Sequence, residues 1–155
     1  MWVAADGTVV TIRPISAADL ALEQSFVVGL SASTGYQRLM SARRPPPDEV
    51  RRFTDINPER EIALIATAPV QGKERQVGLA RYVKEQASPS EAEFAIVLSD
   101  NWQGRGLGTR LLGSLLSEAK SDGVRRVFGT TLSENRTMLA LARKLGFRPR
   151  TLARR

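Results

Sequence analysis

The chain has 155 residues, 42% hydrophobic and 25% charged, with a net charge of +7 carried mostly by arginine. That length and balance fit one globular domain, residues 1–155, and no apolar run is long enough to span a bilayer as a helix. Cysteine and histidine are both absent, which excludes disulfides, thiolate and imidazole metal ligands, cysteine nucleophiles and Ser-His-Asp chemistry. Acid–base work falls to carboxylates, lysine, tyrosine or a terminus, and no metal is expected. The start, MWVAADGTVVTIRPI, lacks the basic flank and apolar stretch of a signal peptide, so a cytoplasmic location is expected. The arginines are scattered rather than striped, which argues against a nucleic-acid surface and leaves a small polyanionic ligand in view.

In chain order, Thr8–Ile15 is rich in β-branched residues and predicts a strand. Ser16 has the chemistry of an N-cap for a helix ending at Gly29. YQRLMSARR predicts a second, short helix that the prolines of RRPPP end, and Pro47 with DEVRRFTDI predicts a third. From Glu61 the period changes. EIALIATA and RQVGLARYVKEQ read as strands joined by the polar turn PVQGKE, and Glu91–Ser99 as a third strand. Short polar connections between consecutive strands predict an antiparallel meander.

Leu107, Leu111, Leu115 and Ala119 then recur every four residues on one helical face, with Gly123 as C-terminal cap. RRVFGTTL (125–132) predicts a strand and NRTMLALARKLGF a helix closed by Gly146. The passage from Glu91–Ser99 through the helix to 125–132 is a crossover, expected to be right-handed and to pair its strands in parallel. The fold class is therefore α/β (α+β): a mixed, mostly antiparallel central sheet flanked by helices.

NWQGRGLGTRLL sets glycines at 104, 106 and 108 at the entrance to that helix. Amides there can point outward together at a positive helix end, which favours an anion. A Walker loop would need Gly-Lys-Ser/Thr where Gly108-Thr109-Arg110 stands, and a dinucleotide fingerprint needs a different glycine spacing. The spacing resembles instead the Q/R-x-x-G-x-G/A pattern of the GNAT acetyltransferases, with Gln103, Gly106 and Gly108 in register. DINPEREIALIA, AEFAIVLSDNWQGRGLG and ENRTMLALARKLGF are most similar to the acetyltransferase domain of bacterial protein-lysine acetyltransferases.

That resemblance, running from about Ile12 to Phe147, implies a GNAT fold whose strand–helix–strand crossover carries the acyl-CoA loop. It implies that the pyrophosphate of acetyl-CoA rests on the loop of Gln103, Gly104, Arg105, Gly106, Leu107, Gly108 and Thr109. Pantetheine would pair with backbone at Ile96, Val97 and Leu98, and Asn135 would hold the coenzyme from the far side or simply cap its helix. It implies an N-acetyltransferase whose acceptor is a protein lysine or a small amine, with a homodimer as an allowed assembly. A non-catalytic acyl-CoA sensor is the alternative outside enzymology.

Strand alternation puts Glu91, Glu93, Ala95 and Val97 on one face and Ala92, Phe94, Ile96 and Leu98, as core, on the other. Glu93 is the expected general base, its pKa raised by partial burial, and the resemblance places a catalytic glutamate at this position. Glu91, nearer the strand's start, is second. An amide near Val97 or Leu98 would steady the developing oxyanion. Many members carry a tyrosine as general acid where this chain has Ala142, so that role is unassigned and is not transferred to Tyr36 or Tyr82. Arg143 and Lys144 are read as solvated. Eight residues follow Phe147 where the family usually closes with a strand, a turn and a strand. The last strand is therefore expected to be missing here, supplied by a partner, or cut from the chain, and the acceptor-side wall is left open.

Overall fold

The computed structural model describes residues 2–29, 59–129 and 136–148. Six strands, β1 (Trp2–Val3), β2 (Val9–Pro14), β3 (Glu61–Val70), β4 (Lys73–Lys84), β5 (Glu91–Leu98) and β6 (Arg126–Phe128), lie in one sheet in chain order. All neighbours are antiparallel except β5 and β6, which are parallel as the crossover requires. Among the described residues the helices are α1 (Leu20–Gly29), α2 (Leu107–Ser121) and α3 (Arg136–Lys144), with 3-10 turns at Ala17–Asp19 and Asp100–Trp102. The two short helices expected from YQRLMSARR and DEVRRFTDI, and Asn135, lie outside the described residues. No described helix is long and apolar enough to cross a membrane.

The β3–β4 hairpin is tighter than the six-residue turn its composition suggests. Pairing continues to Val70 and Lys73, leaving only Gln71 and Gly72 in the loop. Both have positive φ, 53° and 80°, the backbone that matches the twist of a two-residue hairpin. Lower down, Ala66 pairs with Gly78 but Thr67 pairs with Gln76, so Val77 is an extra residue on β4. Alternation counted back from Leu79 would set Val77 beneath α1; the bulge exchanges it with Gln76. Val77 joins the core under α2, and Gln76 meets Glu23 of α1.

Each sheet face has its own core. On one, Leu107, Leu111, Leu112 and Leu115 of α2 are fully buried among Val10, Leu64, Ala66, Phe94, Ile96 and Trp102. A fully buried leucine is worth about 1.5–3 kcal/mol. The four-residue recurrence read from the sequence is this buried face. The other face joins Ile15, Phe26, Ala63, Ile65, Leu79 and Val97. Val97 thus leaves the polar row of Glu91 and Glu93 and packs into core. At the far end of α2, Gly123 has φ 83°, and Asp122 accepts from the Tyr82 hydroxyl at 2.6 Å and pairs with Lys84 at 3.0 Å.

The entry to α1 is fixed by a carboxylate. Asp19 accepts from both terminal nitrogens of Arg13 at 2.8 Å and from the Ser16 amide at 2.8 Å. These partners, Arg13 foremost, hold its pKa below the ordinary value. One turn on, Glu23 is fully buried and its Oε1 accepts from Gln76 Nε2 at 2.6 Å. Glu23 Oε2 and Gln76 Oε1 are both buried without a donor. A proton on Glu23 supplies the donor that two facing acceptors need. Burial is the chief cause that pushes its carboxyl up to about 7, against the lowering effects of Gln76 and Arg81.

Between the exposed value of 4.5 and about 7, the folded chain keeps a proton that the unfolded chain has lost. Stability from this group is therefore full in acid and declines as pH rises through that window, by about 3 kcal/mol in all. Urea unfolding at about pH 4.5 and about pH 8 checks this with Glu23→Gln, which removes the ionisation. The variant should gain about 3 kcal/mol relative to wild type between those two conditions. A constant difference would show that Glu23 is not held neutral.

Candidate active site

β5 is paired unequally along its two edges. Toward β4 the register runs unbroken from Ala92 with Lys84 to Leu98 with Gly78. Toward β6 it covers only Glu91, Ala92 and Glu93. Among the described residues, Phe94 to Leu98 have no strand partner on that side. Ile96 and Val97 bury their side chains on opposite faces, so what this stretch offers along that edge is backbone. An extended ligand can add to such an edge as a strand would.

β5 leads through the Asp100–Trp102 turn into the glycine loop. Gly104 and Gly106 have φ of 75° and 89°, a region that side chains other than glycine rarely adopt. A Cβ on Gly104 would meet nothing within 4 Å among the described residues. Positive φ at two alternate residues just before the first turn of α2 is a backbone able to present amides to an anion at a helix N-terminus.

Gly108 has a further use that the motif does not reveal. Its Cβ would lie 3.3 Å from Leu141 and 3.4 Å from Leu98, so a side chain there would push α3 and β5 away. Leu107 is wholly core and offers the loop only its backbone, while Thr109 is half-buried in the first turn. Gln103 Nε2 approaches the Leu98 carbonyl at 3.4 Å. Arg105 stacks on Trp102, 3.9 Å from the ring centre, approaches the Asn101 carbonyl at 3.4 Å and pairs with Asp6.

Glu93 lies half-buried on β5, between Val83 of β4 and Phe128 of β6. Burial first, and the like charge of Glu85 second, raise its carboxyl pKa. No arginine or lysine forms an ion pair with it among the described residues. Glu91 differs: its carboxylate pairs with Arg126 at 2.9 Å. Tyr82 is fully buried, and its hydroxyl is committed to Asp122, so it serves the contact between β4 and α2. Ala142 is half-buried on α3, where it has no proton to give, and Arg143 and Lys144 are exposed beside it.

β5 and the loop thus bring together Glu93, the Phe94–Leu98 edge and Gln103 to Thr109, which the sequence separates by only ten residues. Sequence reasoning missed the Glu23–Gln76 pair, which depends on a bulge, and the contact of Asp6 with Arg105, which joins distant parts of the chain. No local spacing signals either one.

Residues 32–147 match the model of the acetyltransferase (GNAT) family. The chain is 30% identical over 143 residues to the acetyltransferase PA5475 of Pseudomonas aeruginosa, covering 92% of this chain and 76% of that protein. The GNAT domain of S. lividans PAT superposes with a TM-score of 0.82 at 26% identity, over 97% of this chain and 88% of that one. A phosphinothricin acetyltransferase from Sinorhizobium meliloti, solved in complex with acetyl-CoA, gives 0.67 at 26% identity, over 88% and 74%. The chain belongs to the GNAT acetyltransferase family and is an acyltransferase that uses acetyl-CoA as its acetyl donor.

Proposed function

We propose that this chain, as a single GNAT domain, acetylates a primary amine, and that the amine is a lysine side chain of a protein. One observation carries the mechanistic part. Glu93, a half-buried carboxyl with a raised pKa, stands one residue before Phe94–Leu98, a stretch of β5 that has no strand partner on the β6 side among the described residues and that runs into the glycine loop. The choice of lysine is supported by the similarity of AEFAIVLSDNWQGRGLG and ENRTMLALARKLGF to bacterial protein-lysine acetyltransferases. The likeness to a phosphinothricin acetyltransferase supports a small-molecule amine as the second reading.

In this reading Gln103 and the backbone from Gly104 to Thr109 bind the pyrophosphate, the Ile96–Leu98 backbone aligns the pantetheine, and Asn135 holds it from the far side. Acetyl-CoA supplies a thioester whose C–S bond breaks as the C–N bond forms. A lysine ammonium, with an ordinary pKa of about 10.4, cannot attack until it loses a proton. Glu93 takes that proton, directly or through one water, and its raised pKa makes it the stronger base. A backbone amide near Val97 or Leu98 steadies charge developing on the carbonyl oxygen. A thiol ionises near 8.5, so the sulfur departs as thiolate without help at position 142.

Glu93→Gln should lower kcat about 10²- to 10⁴-fold while calorimetry finds acetyl-CoA binding nearly unchanged. Full turnover in the variant would remove Glu93 from the mechanism. The base must be ionised, so kcat/KM should fall as pH drops through a pKa above that of an exposed glutamate. Glu85→Gln, which takes away the neighbouring like charge, should move that acid limb to lower pH. Free-thiol release with lysine-containing proteins and with small amines decides the acceptor. Turnover on small amines alone would favour the second reading.

A further inference from the structure

The glycine loop is gripped from outside by the other end of the chain. β1 and β2 form a hairpin at the edge of the sheet, closed at Asp6 and Gly7 by the Gly7 amide donating to the Ala4 carbonyl at 2.9 Å. Asp6 accepts from the Thr8 amide at 2.9 Å, which orients its carboxylate, and that carboxylate pairs with Arg105. Trp2 packs against the same loop: a Cβ on Gly106 would lie 3.6 Å from its ring. Arg105 is held on three sides, by Asp6, by the ring of buried Trp102 and by the Asn101 carbonyl.

We propose that the β1–β2 hairpin is part of the coenzyme site, with Asp6 and Trp2 as positioning residues that hold the Gln103–Thr109 loop ready for an anion. The proposal rests on the reading that this loop takes the pyrophosphate of acetyl-CoA. Its physical basis is entropic. A loop with three glycines has more conformational freedom to lose on binding than an ordinary turn. Contacts that order it beforehand reduce what the ligand must offset, and affinity rises without any new contact to the ligand. Arg105 acts here as the handle by which the hairpin holds the loop, since its guanidinium is already committed to Asp6, Trp102 and Asn101.

A double-mutant cycle on coenzyme affinity tests this, read by calorimetry and by steady-state kinetics. Asp6→Asn should raise the Kd and KM for acetyl-CoA about two- to five-fold, as loss of an exposed ion pair allows, with kcat unchanged. In an Arg105→Gln background the same substitution should cost nothing further, because the handle is already gone. Additive losses would mean that Asp6 does not act through Arg105, and would overturn the brace. Hydrogen exchange gives an independent reading. Asp6→Asn should speed exchange at Gly104–Thr109 and leave β3 and β4 unchanged, whereas unaltered loop exchange would also overturn the proposal. If wild type itself fails to bind acetyl-CoA, it is the assignment of the loop that falls. If wild type binds and Asp6→Asn binds equally well, the loop assignment stands and the brace is wrong.

Discussion

Burial of Leu107, Leu111, Leu112 and Leu115 fixes α2 against the sheet and thereby fixes the loop that joins it to β5. At about 1.5–3 kcal/mol for each leucine, this is a large share of what a small domain has in hand. A helix end that is already held in place loses less freedom when an anion arrives. Here the first buried leucine directly follows Gly106, so the rigid part of α2 begins where the loop ends. The Tyr82–Asp122 bond and the Lys84 pair tie the far end of the same helix to β4. With both ends held, the glycines can be permissive in backbone without being loose in position.

Much of this was legible in the residues. Strands rich in valine, isoleucine and alanine, and a leucine every fourth position, announce their periods plainly, and a glycine-rich entry to a helix signals backbone kept open for close approach. The three glycines, however, do not share one reason. Gly104 and Gly106 are needed for their φ, while Gly108 is also needed because Leu98 and Leu141 come close. Spacing alone cannot separate a residue kept small for a ligand from one kept small for a neighbour. For Glu93, alternation correctly removes the side chain from the core under α2. Its lack of an ion-pair partner among the described residues, and the pairing of Glu91 with Arg126, depend on side-chain geometry that alternation does not encode.

The two sheet faces carry different electrostatics. Under α2 the core is almost wholly apolar. Under α1 it includes Glu23 and Gln76, and buried Glu61 with half-buried Arg81 lies on the same face, 3.7 Å apart. Glu93 belongs to this second face. In a chain without histidine, Glu23, pushed up to about 7 by burial, is a group that responds to pH near neutrality.

The extra residue at Val77 has a consequence for how this protein tolerates change in length. It acts as a frameshift written into a strand: everything on the hairpin side of it is one step out of phase with the rest of β4. Were β4 to alternate without the bulge, Gln76 would turn away from α1 and Val77 would lie opposite Glu23. An added residue at Gln71 or Gly72 would merely enlarge an exposed tip. Lineages related to this chain should therefore vary freely in length at the hairpin's point and hold their count between it and Gly78.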